Sequence, residues 1–445
     1  MSQQPNIVFI VADDLGYADL SVYGQTEFDT PHLDRLASQG VRFTQAYSNS
    51  AVCSATRFAL ITGRYQYRLR GGLEEPIAGA NNQIGLPPEH ATLPSLLKKA
   101  GYTTALIGKW HLGRLPTFGP LKSGYDRFFG NYGGVIDYFT HKPGVGEKVP
   151  RDLYEGEVPV ERVGYYTQIL ADESSKYIRE SNGDKPFFLS LHFTAPHWPW
   201  VGPEDEAVSL ELKDLFHYDG GNLKTYAKMV QSLDTAVGDV LAALDERGIA
   251  DNTIVVFTSD NGGERFSKTW PFTGQKTELL EGGLRVPTLL RWPALIKPQV
   301  QEQVTITMDW LPTLLAAADA KSDPEYPPDG DNILPVLLGA IHPYARRLYW
   351  RYKANSQRAA RDGNWKYLKI NDNEFLFDVV DDVRERANLR DKHPAIFERL
   401  RRQWYEWDAG MLPITDEIYS HGLSPEVQAD RYVPQGHPRR TTAGK

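Results

Sequence analysis

The 445-residue sequence predicts an α/β fold with a large, mostly parallel central sheet. Residues 6–12 form a short, β-branched apolar run that ends in two acids, as a buried strand does where it leads into a polar loop. Residues 223–247 carry Met229, Leu233 and Val237 at helical spacing, which predicts a long amphipathic helix. Segments of both kinds alternate along the chain, so we expect helices on both faces of the sheet.

Further elements continue this alternation. Thr30 and Pro31 predict the start of a helix, with Thr30 as its cap and Gly40 as its end. A second short helix is predicted at 93–100. The remaining strands of the large sheet are predicted at 41–43, 103–107, 187–193 and 253–258.

The character of the sequence changes at residues 323–330, a polar, proline-rich stretch that predicts a rigid loop. Beyond it, short strand candidates separated by turn residues predict a small antiparallel sheet with a helix at 394–407 packed on it. We therefore divide the chain into a main α/β domain at 1–340, a small C-terminal α+β subdomain at 341–425 and a polar tail at 426–445. The strands of the small sheet are predicted at 347–352, 359–361, 365–370 and 374–377.

The composition narrows the possible functions. Charged residues make up 24% of the chain and the net charge is −8, which argues against a general nucleic-acid binder but not against an anionic substrate. No apolar run approaches the ~20 residues that span a bilayer, so we expect no membrane partner. No targeting segment is visible, and we expect a cytoplasmic location. The oligomeric state stays open.

Cys53 is the one cysteine of the chain. It cannot form an internal disulfide, and a cysteine-rich zinc site is ruled out. Taken alone, it is most simply a small buried hydrophobic residue. Its neighbours in sequence point to a different interpretation.

Two pairs of polar residues follow predicted strands. Asp13 and Asp14 follow the strand at 6–12, and Asp260 and Asn261 follow the strand at 253–258. Ligands of open α/β sheets gather at the carboxyl ends of strands. These side chains offer only oxygen atoms, which suits Ca²⁺ or Mg²⁺ better than zinc or copper. Each pair alone is explained as well by a helix cap or a turn.

The segment Cys53–Arg57 reads Cys-Ser-Ala-Thr-Arg and is followed by Thr62-Gly63-Arg64. This pattern resembles the signature of the type I, formylglycine-dependent sulfatases of the alkaline phosphatase superfamily, and of the arylsulfatases in particular. Further blocks resemble those of the family in the same order, so the resemblance covers nearly the whole chain. These blocks are Asn6–Gly16, Gly108–Gly113, Ala195–Pro199, Ser259–Gly262, Gly274–Lys276, Glu281–Pro287 and Arg361–Tyr367.

The resemblance implies an alkaline-phosphatase-like sandwich and the hydrolysis of aryl or alkyl sulfate monoesters to an alcohol and inorganic sulfate. It implies that a formylglycine-generating enzyme, as a transient partner, oxidises Cys53 to an aldehyde whose hydrate offers two hydroxyls. One hydroxyl attacks sulfur and the second expels the sulfate, so no water has to attack the sulfated enzyme. The resemblance also implies one divalent cation, Ca²⁺ in preference to Mg²⁺.

The resemblance carries the family's site residues over one by one. Arg57 is expected to orient the hydrated aldehyde, and Lys109 to bind it and the sulfate. His111 is expected to take a proton from the second hydroxyl. His197 and Lys276 are expected at the ester and leaving oxygens, and which of them protonates the leaving group stays open. The cation is expected on Asp13, Asp14, Asp260, Asn261 and the modified Cys53.

Two other interpretations stay open. A phosphonate monoester or phosphodiester hydrolase of the same superfamily would use the same formylglycine, although such relatives tend to have a different nucleophile motif and a longer chain. A non-catalytic, metal-binding relative would keep Cys53 as a thiol and would be expected to have lost site residues, yet all ten positions hold suitable ones.

The substrate pocket is less defined by the sequence. Residues 131–141 and 270–275 are both candidates to line it. Substrate stacking or core packing explains four aromatic residues about equally well, namely Tyr138, Trp198, Trp200 and Trp270. The other histidines, His192 among them, are interpreted as structural.

Overall fold

The computed structural model describes residues 4–78, 82–415 and 417–418. Its strands are β1 (Asn6–Ala12), β2 (Val41–Phe43), β3 (Ala46–Tyr47), β4 (Thr103–Lys109), β5 (Arg127–Asn131), β6 (Tyr154–Glu155), β7 (Val158–Pro159), β8 (Phe187–His192), β9 (Thr253–Ser259), β10 (Thr288–Arg291), β11 (Gln299–Gln301), β12 (Thr305–Ile306), β13 (Arg347–Tyr352), β14 (Gln357–Asp362), β15 (Trp365–Ile370) and β16 (Asn373–Asp378). Its α-helices are α1 (Pro31–Ser38), α2 (Cys53–Thr62), α3 (Leu93–Lys99), α4 (Tyr166–Glu180), α5 (Glu206–Glu211), α6 (Leu223–Glu246), α7 (Glu281–Leu284), α8 (Trp310–Ala317), α9 (Leu334–Leu337) and α10 (Pro394–Asp408).

A ten-stranded mixed sheet forms the centre of the fold, in the order β11-β2-β10-β9-β1-β8-β4-β5-β6-β7. The strands from β9 to β5 in this order are parallel, and antiparallel pairs flank them. β1 is buried on both faces, because Val8 and Ile10 belong to one hydrophobic cluster and Ile7 and Phe9 to another. Helices α1, α4 and α6 pack on the first face, and α2, α3 and α8 on the second. The predicted mostly parallel sheet with helices on both faces is confirmed.

The start of α1 differs from the prediction in one respect. The helix begins at Pro31, but the Thr30 side chain makes no capping hydrogen bond, and its Oγ1 instead accepts from the Ser21 amide at 3.0 Å. The carboxylate of Asp234 on α6 takes the capping place and accepts from the amides of His32 and Leu33 at 3.2 and 2.8 Å. A residue distant in sequence therefore satisfies the first turn, which local pattern does not reveal.

The small sheet is antiparallel in the order β13-β14-β15-β16, as predicted, and α10 covers one of its faces. Trp404 of α10 donates its indole N–H to the carbonyl of Trp350 at 2.8 Å. The opposite face packs on the region of α2, where Trp350 shares a hydrophobic cluster with Tyr47 and Ala55. The domain division at residue 340 stays a prediction, and the predicted tail at 426–445 lies outside the described residues.

Across the described residues, no helix combines the length and the apolar character needed to span a bilayer.

Candidate active site

The carboxyl ends of β1, β9 and β4 bring the predicted polar residues to one edge of the large sheet. β1 and β9 pair in parallel with their last residues opposite each other. Asp13 and Asp14 therefore emerge beside Asp260 and Asn261. Lys109 is the last residue of β4, two strands away from β1, and its ammonium contacts the Asp13 carboxylate.

Helix α2 brings the candidate nucleophile to the same edge. Cys53 is the first residue of α2 and is 2% exposed. Arg57 lies one turn later and is 1% exposed. Its Nε and Nη2 donate to Asp260 Oδ2 at 3.0 and 2.9 Å, and its Nη1 donates to the Lys109 carbonyl at 3.3 Å. This two-pronged contact fixes the first turn of α2 against the end of β9.

The carboxylates form a compact group that could hold a metal ion. One ligand atom each from Asp13, Cys53 and Asp260 lies within 4.8 Å of the others. Asn261 Nδ2 donates to Asp14 Oδ1 at 2.8 Å, while the buried atoms Asp13 Oδ1 and Asn261 Oδ1 have no hydrogen-bond partner among the described residues. Burial and the neighbouring Asp13 carboxylate raise the pKa of Asp260 to about 7 against the charge of Arg57. Crowded carboxylates with unpaired oxygens fit a hard cation.

Lys276 and His197 border this group on the side of Asp14. Lys276 Nζ lies 2.6 Å from Asp14 Oδ2, and His197 Nε2 lies 3.6 Å from the same oxygen. Burial acts to raise the pKa of Asp14, but the charge of Lys276 and the contact with His197 outweigh it and lower that pKa to about 2. Asp14 is therefore ionised at neutral and mildly acidic pH.

The Cys53 side chain faces His111. The Cys53 Sγ lies 3.4 Å from His111 Nδ1, and His111 Nε2 lies 2.9 Å from the Ile77 carbonyl. Burial and the charge of Lys109 lower the pKa of His111 well below its ordinary value, so the ring is neutral. A neutral ring that donates Nε2–H to a carbonyl leaves Nδ1 as an acceptor towards residue 53.

His197 is held in the opposite tautomer. Its Nδ1 lies 2.7 Å from the Trp198 carbonyl, an acceptor, so Nδ1 carries the proton and Nε2 faces Asp14 and Lys276 without one. Burial and the charge of Lys276 lower the pKa of His197 to about 3. His197 is therefore an acceptor at its Nε2, whereas Lys276 is a donor.

A pocket of about 200 Å³ ends at these residues. Trp198 and Phe216 form an aromatic wall, with ring centroids 4.6 Å apart. Its lining comprises Val52, Cys53, Pro76, Ile77, Ala78, His111, Gly134, Val135, His197, Trp198, Phe216, Glu264, Lys276 and Thr277. The volume lies below the roughly 300–1,000 Å³ of pockets for drug-sized ligands, which suits a group of about one ring with its ester.

The four aromatic candidates for substrate stacking lie in different environments in the structure. Trp198 lines the pocket, whereas Tyr138 and Trp200 are buried in the core at 0% and 2% exposure. Trp270 is 55% exposed, with the guanidinium of Arg384 4.1 Å from its ring centroid. Of the two uncertain segments, 131–141 contributes lining residues and 270–275 does not.

Two residues that the sequence did not single out also belong to this region. Glu264 lines the pocket, is 4% exposed and places Oε2 3.7 Å from Lys276 Nζ. His192, interpreted as structural, places Nδ1 3.2 Å from Arg57 Nη1 behind the site. Glu264 follows Asn261 by three residues, so its position on the loop of the candidate metal ligands was the available signal. Phe216 lies on a loop with no motif and offered none.

The comparisons with known proteins agree with this geometry. The sulfatase family model matches residues 5–320. The chain is 35% identical over 388 residues to N-acetylgalactosamine-6-sulfatase of Rattus norvegicus, covering 82% of this chain and 71% of that protein. It is 30% identical over 480 residues to N-acetylgalactosamine-6-O-sulfatase of Bacteroides thetaiotaomicron, covering 90% and 92%. The crystal structure of Ps i-CgsB in complex with k-i-k-neocarrahexaose superposes with a TM-score of 0.84 at 31% identity, over 94% of this chain and 95% of that one.

The family match covers most of the chain, and the two curated relatives are sulfatases by name. The alternative of a phosphonate monoester or phosphodiester hydrolase is not favoured by these matches. The chain therefore belongs to the sulfatase family and is a sulfuric ester hydrolase, as its sequence predicts.

Proposed function

We propose that this chain hydrolyses the sulfate ester of a sugar, with 6-sulfated N-acetylgalactosamine as the first candidate. The observation that carries the proposal is the pocket, which ends at residue 53 between donors and acceptors and has an aromatic wall at its side. Aromatic rings pack well against the apolar faces of sugar rings. The names of the two curated relatives support the particular sugar.

The proposed cation is Ca²⁺, held by Asp13, Asp14, Asp260 and Asn261 together with an oxygen of the modified residue 53. When bound, it supplies positive charge that acidifies the attacking hydroxyl and offsets charge on the sulfuryl oxygens. The four protein ligands are at most 2% exposed. A buried cage of protein oxygens suits Ca²⁺ better than Mg²⁺, which keeps several of its waters.

Residue 53 is proposed to act as formylglycine, made by a formylglycine-generating enzyme. Burial raises the pKa of the Cys53 thiol to about 11, so an unmodified thiol stays protonated and is a weak nucleophile at neutral pH. The hydrated aldehyde instead offers one hydroxyl for attack and another for the release of sulfate. This environment supports modification over thiol chemistry.

His111 is proposed to accept a proton from residue 53 during release. Its Nδ1 is free of a proton and lies 3.4 Å from the Sγ position, within reach of a hydroxyl there. The Ile77 carbonyl fixes the tautomer through Nε2. Arg57 is proposed to orient residue 53, and Lys109 to hold it and the sulfate through charge-assisted hydrogen bonds.

Lys276 is proposed to donate the proton to the leaving oxygen. The geometry supports it over His197, because the proton of the neutral His197 ring is committed to the Trp198 carbonyl. His197 Nε2 is left to accept a hydrogen bond from Lys276 or from the substrate. This proposal does not include the location or the oligomeric state. The cytoplasmic location stays a prediction, and the oligomeric state stays open.

The test is a comparison of kcat/KM for nitrophenyl sulfate, the matching phosphate monoester, a phenylphosphonate monoester, and N-acetylgalactosamine 6-sulfate and 4-sulfate. Wild type and Cys53→Ala are assayed after chelation, with Ca²⁺ or Mg²⁺ added back. We expect a preference for the sulfates, for the 6-sulfate over the 4-sulfate, and for Ca²⁺, with turnover lost in Cys53→Ala at an unchanged unfolding midpoint. Wild-type rates in Cys53→Ala would overturn the nucleophile, and a preference for the phosphonate would overturn the substrate class.

A further inference from the structure

The loop that carries Lys276 is held on one side by the large domain. The Lys276 amide donates to the Gly263 carbonyl at 2.9 Å, and the Thr277 amide donates to the Ala51 carbonyl at 2.9 Å. Both bonds lie at the start of the loop. The residues that follow, up to α7, turn towards the small C-terminal sheet.

Gln357 of that sheet binds the loop on its other side. Gln357 is the first residue of β14 and is 2% exposed. Its Nε2 donates to the Thr277 carbonyl at 2.9 Å, and its Oε1 accepts from the Leu279 amide at 2.8 Å. Nε2 also donates to the Ala354 carbonyl at 3.1 Å, which ties the amide to the turn between β13 and β14. The amide thus bridges the loop and the subdomain with both of its polar atoms.

The backbone at Thr277, beside the two hydrogen bonds from Gln357, is in an unfavourable conformation. Thr277 has φ 72°, in the left-handed region that a β-branched residue rarely adopts. This residue directly follows Lys276, so a relaxation of its φ would turn the Lys276 side chain away from the pocket. Hydrogen bonds to the Thr277 carbonyl and to the amide two residues later hold the strained turn from outside.

A buried ion pair anchors the far end of the loop to the same sheet. Lys366 of β15 places Nζ 2.9 Å from Glu281 Oε1, at the first residue of α7, and 2.9 Å from Glu385 Oε1. Lys366 and Glu281 are both fully buried. Gln357, Lys366 and Glu385 all lie beyond residue 320, where the match to the family model ends.

We infer that Gln357 is a positioning residue, through which the C-terminal sheet holds the strained turn at Thr277 and aims Lys276 at the ester. The inference rests on the role proposed for Lys276. It assigns the small sheet a part in turnover as well as in stability. Gln357 itself does not line the pocket and needs no contact with substrate.

A double-mutant cycle tests the link. Gln357→Met keeps the length of the side chain and removes its three hydrogen bonds, two of which reach the loop. In the presence of Lys276, we expect it to lower kcat/KM by about 10-fold to 100-fold, since a shift of about 1 Å in a reacting group costs on the order of 10²-fold. In a Lys276→Met background the same change should cost less than about twofold, because the group through which Gln357 acts is gone. Equal losses in both backgrounds would overturn the inference, as would Lys276→Met with unchanged activity.

The matched control is Arg358→Met, at the next position of β14. Arg358 donates to the Tyr405 hydroxyl at 2.6 Å and stacks on Trp404, so it faces α10 and not the loop. We expect its kcat/KM to stay within about twofold of wild type, as for a surface change away from the site. A loss as large as that of Gln357→Met would indicate general loosening of the subdomain and overturn the inference.

Hydrogen exchange supplies a readout that does not depend on turnover. The Leu279 amide should exchange faster in Gln357→Met than in wild type, because its acceptor is removed, and unchanged exchange would contradict the geometry. The cycle is run on whichever ester wild type turns over fastest in the panel above. A wrong substrate class would therefore appear in that panel, and a wrong role for Gln357 in the cycle.

Discussion

Lys366→Met is expected to destabilise the protein strongly, and more so at alkaline pH. The Lys366 ammonium lies 2.9 Å from both Glu281 and Glu385, and these three side chains are at most 7% exposed. Glu281 keeps other partners when Lys366 is lost, since Arg285 Nε lies 2.9 Å from it and the Tyr47 hydroxyl donates to it at 2.5 Å. Among the described residues, the Glu385 carboxylate then keeps the hydrogen bond from the Glu281 amide at 2.7 Å.

The pKa values of the two carboxyl groups set the pH dependence. For Glu281, burial acts to raise the pKa, but the charges of Lys366 and Arg285 outweigh it and lower the pKa to about 2. Its stabilising contribution is present above the pKa of about 4.3 in the unfolded chain and is lost as pH falls towards 2. Burial raises the pKa of Glu385 to about 7, so for this group stability decreases as pH rises from about 4.3 to 7.

The ionisation state of Glu385 sets how much stability Lys366→Met loses at each pH. Removing one partner of a buried ion pair costs about 3–5 kcal/mol. Above pH 7 Glu385 of the wild type is ionised, and the variant loses its attraction to Lys366. At pH 6 Glu385 is protonated in both proteins, because loss of the Lys366 charge raises its pKa further. We expect a loss of about 4 kcal/mol at pH 8.5 and a loss at least about 1 kcal/mol smaller at pH 6.

Urea unfolding at both pH values, followed by tryptophan fluorescence, measures this difference. Lys369→Met is the matched control, since Lys369 lies on the same strand, is only partly buried and has no ion pair among the described residues. The control should stay within about 0.5 kcal/mol of wild type. A Lys366→Met loss below 1 kcal/mol, or one that is independent of pH, would refute the reasoning.

Three further predictions concern other parts of the chain. The tryptic peptide spanning residues 43–57, purified from a native host, should be lighter than encoded by the difference between –CH₂SH and –CHO, and mass spectrometry of active protein that shows a free thiol would contradict the formylglycine proposal. Gly108→Ala should lower the free energy of unfolding by more than about 2 kcal/mol and abolish turnover. Gly108 has φ 112°, and an added Cβ would lie 1.9 Å from the His192 carbonyl oxygen, beside Lys109. A normal urea midpoint would contradict this prediction. Burial raises the pKa of Asp19 to about 6. Between pH 4 and pH 7 the free energy of unfolding of wild type should therefore fall by about 2–3 kcal/mol relative to that of Asp19→Asn. A difference between the two proteins that stays constant over this range in urea unfolding would show that Asp19 does not titrate there.

The sequence allowed the large sheet and the grouping of site residues to be predicted, because both depend on local pattern. Apolar runs that end in Asp13-Asp14 and Asp260-Asn261 place these residues at strand ends, and parallel pairing then brings the ends together. The Cys53–Arg57 block begins α2 and needs one helical turn to bring Arg57 to the same edge. The roles of these residues in turnover remain predictions for the experiments above.

The features that were missed depend on contacts between distant segments. The cap of α1 comes from Asp234, about 200 residues away, and the pocket wall includes Phe216 from a loop without a motif. The tautomers of His111 and His197 are set by the carbonyls of Ile77 and Trp198. Every residue has a backbone carbonyl, so the residue types give no information about such contacts. Sequence pattern could not have shown that His111 accepts at Nδ1 and His197 at Nε2.

The small sheet shows why its contact with the Lys276 loop could not be predicted although its strands were. Turn residues define the hairpins and hence the register, but both faces of the sheet are apolar. Ala359 belongs to the cluster shared with the large domain and Ala360 to the cluster under α10. Alternation along a strand then puts Gln357 on the face of Ala359, and Arg358 on the face of Ala360. A strand buried on both sides carries no polar alternation to identify the face that meets the rest of the protein. That choice of face, and not the register, determines that Gln357 binds the Lys276 loop while its neighbour Arg358 packs on α10.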